Sequence, residues 1–192
     1  MPERNDEALR FLLTRRSRPA KTLVAPVPSD DEILTMLTAA GRCPDHGKLE
    51  PWRFLVLRKP ALERLAALTA ELGAVRPEPP EKAEKTRRQF ADADLVVAVV
   101  HSPVETEKVP TREQLLSGGA ACLSLLNAAL ASGWGANWLT GWMASDRRFL
   151  SRGLGIEPPE FVVGFVHIGT ETIVPPERPR PDVSALTTWI GE

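Results

Sequence analysis

The stretch QLLSGGAACLSLLNAALASGWGANWLTGWMAS, residues 114–145, contains no charged side chain. A run this long can cross a bilayer as one helix, which takes roughly 20 apolar residues, or it can form a core helix followed by a core strand. Gly133 and Gly135 interrupt it, and Asn127, Ser132, Asn137 and Thr140 are scattered through it. These breaks favour the second reading: a buried helix over 112–131, then a strand near 136–139. No membrane partner is expected.

On both sides of this stretch, strand and helix patterns alternate. Residues 95–100, LVVAVV, run apolar without polar alternation, as a central strand covered on both faces would. In 52–57, Trp52, Phe54 and Val56 alternate with Arg53, Leu55 and Leu57. A last strong strand is expected over 161–168, ending at Gly169. Helices are expected at 6–14, with Leu9, Leu12 and Leu13 on one face, and at 61–72. Another begins with a capping box, Ser29 and Glu32, continues through an apolar stripe of Ile33, Leu34, Leu37 and Ala40, and stops at Gly41. The highly charged 81–90 reads as a helix with a solvated face, and a short helix is expected to start at the cap Ser145. Prolines make 74–80 a loop and 175–192 an extended tail. With no repeat or linker visible, residues 1–192 read as a single α+β domain, a mixed or antiparallel sheet flanked by helices.

Composition narrows the function. A hydrophobic fraction of 43% against 26% charged excludes disorder as the main state. Lys plus Arg total 24 and Asp plus Glu 25, so nothing in the overall charge favours nucleic acid. A nucleic-acid module built on 15–18 and 82–88 would also lack interleaved aromatic residues. Two cysteines are too few for a disulfide framework and suit a reducing compartment. The charged residues 1–10 lack the apolar run of a signal peptide, and a cytoplasmic location is expected. Tyrosine is absent, which removes mechanisms based on a tyrosine acid.

Several familiar sites fail on spacing. Residues 41–48 resemble a phosphate loop, but the glycine separation is wrong and Leu49 stands where the magnesium ligand should be. Neither a Rossmann glycine fingerprint nor a Gly-x-Ser-x-Gly elbow occurs. Cys43, Asp45 and His46 share a loop, yet His101 and His167 lack the second close pair of a structural zinc site, so no metal is expected. That leaves Arg15, Arg16, Ser17 and Arg18 at the exit of the first helix. Forked guanidinium donors beside a hydroxyl hold a phosphate well, although arginines there also suit a helix dipole.

The cluster gains meaning from the motifs C-terminal to it: Ala40-Gly41-Arg42-Cys43-Pro44-Asp45-His46, then Glu50-Pro51-Trp52-Arg53-Phe54 and Val109-Pro110 with Glu113-Gln114. Beyond these lie Ser117 to Ala121, Ala128 to Gly133, Trp138 to Gly141, and Val163-Gly164-Phe165 leading to Ile168-Gly169-Thr170. In this order the chain resembles the nitroreductase family of FMN-dependent oxidoreductases, over nearly its whole length and most of all its short single-domain NAD(P)H nitroreductase branch.

The resemblance implies the nitroreductase fold, a homodimer with FMN at the subunit interface, and NADH or NADPH as co-substrate. It implies a ping-pong reaction in which a hydride passes through the flavin N5 to a nitroaromatic, quinone or related small acceptor. It also leaves open a flavin-binding sensor or carrier with little turnover, or a dehydrogenase of the same fold. FMN would carry the chemistry, so no catalytic side chain is required. By resemblance, Arg15, Arg16 and Ser17 grip the FMN phosphate, joined by Arg178 and Arg180 from the tail. Arg42 and His46 match flavin contacts that the branch contributes from the partner subunit. Trp138, Leu139 and Thr140 match the strand along the flavin ring, and Gly141 lets the backbone approach it. Ala128, Ala129, Leu130, Ala131, Ser132 and Gly133 match a stretch implicated in nicotinamide nucleotide binding. Leu139, Glu50 and Arg112 depart from the usual basic residue, glutamine and tryptophan.

Overall fold

A computed structural model describes residues 3–191. Helix α1 spans Asp6–Thr14, the Asn5 side chain capping it by accepting from the Ala8 amide at 2.9 Å. A short strand β1 (Leu23–Val24) precedes α2 (Asp30–Ala40), which opens with the complete Ser29–Glu32 capping box. Next in the chain are β2 (Trp52–Arg58), α3 (Lys59–Gly73), α4 (Pro80–Ala91) and β3 (Leu95–His101). The chain then forms α5 (Thr111–Ala131), β4 (Gly135–Leu139), the short α6 (Arg147–Phe149), whose last turn continues as a π-helical Leu150–Leu154, and β5 (Phe161–Glu171).

One five-stranded sheet organises these elements. Strand β5 pairs with β3, β4 and β1, and β3 pairs with β2; every pairing is antiparallel. All residues of β3 are buried, and they alternate between two apolar cores. Val96, Ala98 and Val100 pack with α3, Phe90 of α4, Phe149 and Phe165 on one face. Leu95, Val97 and Val99 pack with Ile33 and Met36 of α2 and with Ala121, Cys122, Leu125 and Leu126 of α5 on the other. Side chains on a strand alternate faces, so a fully covered strand must be apolar at every position. That is the pattern of 95–100.

Helix α5 is long and apolar enough to cross a membrane by length and composition. Its buried side, which includes Ser117, Gly118, Ala121, Cys122, Leu125 and Ala129, instead lies along the sheet. Leu116 and Leu123 on its other side are exposed.

Three sequence expectations change. The buried stripe of α2 is Ile33, Met36 and Ala40, while Leu34 is exposed. The short helix is capped by Asp146, not Ser145, its carboxylate accepting from the Arg148 and Phe149 amides at 3.0 and 3.1 Å. Of the mixed or antiparallel sheet expected, the described strands form the antiparallel one. Strand β5 runs through Gly169 instead of ending there, because this glycine serves close approach. A Cβ at Gly169 would stand 2.9 Å from the Val24 carbonyl oxygen, and one at Gly135 only 2.5 Å from Leu23 Cδ2. Without side chains at these positions β1 can lie against the sheet.

Candidate functional site

The end of α1 builds the first part of the site. Arg15 leaves helical geometry (ψ 143°) and turns the chain toward β4, where the Arg18 amide donates to the Ala136 carbonyl at 2.8 Å. Asn137 Nδ2 donates back to the Arg18 carbonyl at 2.7 Å. Between these anchors Arg15 Nη2 donates to Ser17 Oγ at 3.2 Å. Arg15 Nε and Arg16 Nη1 are buried with no acceptor. Arg18 differs: its guanidinium pairs with Glu171 at 2.7 Å, which leaves it a structural role.

The tail returns to this cluster. Burial, and then the charge of Arg180, lower the pKa of Arg15. Glu177 accepts from the Arg178 amide and from Arg180 Nε, both at 2.9 Å. The Arg178 amide first, then Arg180 and Arg16, hold its carboxyl below the usual range. Arg15, Arg16, Ser17 and Arg180 are thereby gathered, with one carboxylate among three guanidinium groups. Buried donors lacking an acceptor in such a field are what a strongly charged anion satisfies.

The cluster residues do not themselves line a cleft, but the chain that follows them does, bordering one of about 680 Å³. Pro19, Ala20 and Lys21 form one side, β4 contributes Asn137 and Leu139, and α4 with its following turn supplies Glu81, Glu84, Lys85, Arg88, Gln89 and Asp92. This volume suits a ligand of cofactor size. Sequence reading missed the α4 wall, taking its charges for a solvated face. A signal existed, since 81, 84, 85, 88, 89 and 92 recur at the helical period and mark one face. Glu84 is bound by Arg87 at 2.7 Å, and Arg88 by Asp92 at 2.7 Å. Lys21 and Lys85 have no ion partner among the described residues.

Alternation along β4 sorts the strand candidates. Leu139 lines the cleft. Trp138 points to the other face and packs against the core beneath α5, its indole nitrogen 1.9 Å from where a Cβ on Gly164 would stand. At the cleft, Trp138 can offer only backbone. Thr140 and Gly141 are exposed at the strand's exit, and a Cβ at Gly141 would press on Met143 Cε at 3.1 Å.

The other candidates do not line the cleft. Arg42 and His46 are exposed on the loop after α2, and His46 Nδ1 lies 2.7 Å from Glu113 Oε2. This loop is strained, with positive φ at Gly47, Lys48 and Glu50 (76°, 54° and 50°). The Asp45 carboxylate holds it by accepting from the Leu49 and Glu50 amides. Ala129 is fully buried on the sheet-facing side of α5, Ala128 and Leu130 pack against the same core, and Ala131, Ser132 and Gly133 are exposed where the helix ends. Burial pushes the Cys43 thiol up and the Cys122 thiol up to about 12, so neither is a ready thiolate.

A family model described as the nitroreductase family matches residues 12–170. The chain belongs to the nitroreductase family. Among curated proteins this family member is 34% identical over 165 residues to YdjA of Escherichia coli K12, a protein that its name classes with the NAD(P)H nitroreductases. The match covers 85% of this chain and 88% of that one. A similarly named protein of Haemophilus influenzae is 35% identical over 172 residues, with the same coverage. Among solved structures, a nitroreductase-like family protein from Bacillus cereus superposes with a TM-score of 0.79 at 20% identity, covering 99% of this chain and 98% of that one. A nitroreductase from Bacteroides fragilis, solved with bound FMN, gives 0.76 at 19% identity, covering 97% and 100%. The nitroreductase fold, inferred from the order of motifs, is therefore the fold observed.

Proposed function

We propose that this nitroreductase-family chain is an FMN-dependent oxidoreductase that takes a hydride from NADH or NADPH and reduces a nitroaromatic, quinone or related small acceptor in ping-pong order. The observation that carries this reading is the pair of buried, unsatisfied guanidinium nitrogens of Arg15 and Arg16, next to Ser17 and Arg180 and just before Pro19, where the chain enters the cleft wall. These residues fit a phosphate monoester, and the cleft beyond them has room for a planar ring. When bound, FMN would accept and donate the hydride at its N5. The chain's part is to hold the phosphate through Arg15, Arg16, Ser17 and Arg180, to seat the ring along the β4 backbone beside Leu139, and to leave one face open to co-substrate and acceptor. Arg178 would add charge at the tail, and Ala128 to Gly133 would contribute to nucleotide binding.

We further propose that residues 1–192 act as one domain of a cytoplasmic homodimer. Exposed Leu116 and Leu123 on α5, and Leu12 and Leu13 on α1, supply the apolar surface. In that dimer Arg42 and His46 would reach the partner's flavin from their strained loop.

The decisive experiment is the visible spectrum of purified protein, with identification of the ligand released by heat. Yellow protein that releases FMN and is bleached by NADPH under nitrogen is the expected result. Colourless protein that FMN cannot reconstitute would overturn the cofactor and the activity together.

A further inference from the structure

The loop that carries Arg42 and His46 is held largely from outside itself. Left-handed backbone at Lys48 and Glu50 persists only where the surroundings over-determine it, and Asp45 alone supplies side-chain bonds from within. The rest comes from the first two turns of α5. Buried Ser117 donates its hydroxyl to the Pro44 carbonyl at 2.7 Å and accepts from the Trp52 indole nitrogen at 3.0 Å. Its own carbonyl accepts from Cys43 Sγ at 3.6 Å. The same Trp52 ring lies against Gly41, 3.5 Å from where a Cβ there would stand. One turn earlier on α5, Glu113 Oε2 is 2.7 Å from His46 Nδ1. Gln114, also buried, fixes the chain entering α5 by bonding Val104 and Val109, and Val109 Cγ2 lies 3.4 Å from where a Cβ on Gly47 would stand.

Arg42 therefore stands between residues fixed on both sides, Gly41 by Trp52 and Cys43 with Pro44 by Ser117. His46 is fixed differently. A carboxylate only accepts, so Nδ1 carries the proton toward Glu113 and the ring holds Nε2 away from it. Both side chains are exposed, and nothing else packs them into one geometry. Groups ordered before a ligand arrives lose less freedom when it binds. Resting on the reading that Arg42 and His46 reach the partner's flavin, we propose that Ser117 and Glu113 are positioning residues for that contact. Ser117 acts through the path of the loop at Arg42, and Glu113 through the orientation of the His46 ring. Neither needs to touch the flavin.

The test is a pair of double-mutant cycles in FMN affinity, measured without turnover as flavin fluorescence recovered on dilution of the holoenzyme. Arg42→Ala and His46→Ala are each expected to weaken FMN binding by about tenfold, the loss of one hydrogen-bonded contact. Ser117→Ala is expected to weaken it about fivefold alone and by less than about 1.5-fold when Arg42→Ala is already present, because residues that act through one another are not additive. Glu113→Ala should behave in the same way toward His46→Ala. A merely structural role would lower the thermal midpoint and give equal factors in both backgrounds. Losses that multiply, or Ser117→Ala and Glu113→Ala proteins of unchanged affinity, would overturn the proposal and leave the contact itself standing. Full affinity in both Arg42→Ala and His46→Ala would overturn the contact and the proposal together. Glu113 is half-exposed, so its cycle remains available if Ser117→Ala does not fold.

Discussion

Three arginines occupy four successive positions, yet only two of them remain available to a ligand. Arg18 is paired with Glu171, whereas Arg15 and Arg16 keep buried nitrogens unsatisfied. Arg15→Gln or Arg16→Gln should therefore weaken FMN binding about 10- to 100-fold, the loss of one charge-assisted hydrogen bond. Arg18→Gln should leave affinity within about twofold and lower the thermal midpoint clearly, because it leaves the largely buried Glu171 carboxylate without its partner. Fluorescence titration and a melt separate the two classes. A second expectation for a single side chain concerns His167, which β5 buries in the sheet. Burial moves its pKa from the ordinary 6.5 down to about 4. Above pH 6.5 the imidazole is neutral in folded and unfolded chains alike and leaves stability unchanged. As pH falls from 6.5 to 4 only the unfolded chain takes the proton, so stability drops, by about 3 kcal/mol at the acid limit. His167→Gln should flatten that part of the denaturation profile, and an unchanged slope would refute the assignment. Single residues were unevenly legible in the sequence. Arg15, Arg16 and Ser17 stood out because like charges cluster there, whereas Gln89 was hidden among the charges of its helix.

Among the elements, those that bury one continuous surface were the readable ones. The helix limits of α1, the capping box of α2 and the apolar run of β3 are set by local spacing, and each lies where periodicity puts it. The two-residue β1 carried no periodic signal, since its place depends on Gly135 and Gly169, far away in sequence. For the same reason, no local pattern could separate mixed from antiparallel pairing. Gly164 shows how tightly these remote contacts are drawn. The Trp138 indole occupies the space a side chain on Gly164 would need. Gly164→Ala should destabilise by about 1–3 kcal/mol through overpacking, measured in denaturant. Far-UV circular dichroism of the folded variant should be unchanged, because the strand itself tolerates alanine.

For the whole molecule, the apolar side chains left uncovered on α1, α5 and the tail are its most conspicuous unsatisfied feature. Trp189 and Ile190 are 90% and 89% exposed. Light scattering should report a dimer of the 21.1 kDa chain, and a flavin-loaded monomer would refute the shared-site arrangement. FMN at a hundred times its dissociation constant should raise stability by about 2.7 kcal/mol, which a thermal shift reads directly. Strand β4 has a consequence of another kind. Its even positions, Ala136 and Trp138, belong to the core, and its odd positions, Asn137 and Leu139, belong to the cleft. Substitution at Leu139 can change what the cleft accepts without disturbing the core, whereas Asn137 also anchors the Arg18 carbonyl. One short strand thus gives this scaffold its evolvability: it divides a packed interior from an accessible chemical surface along a single backbone, one residue at a time.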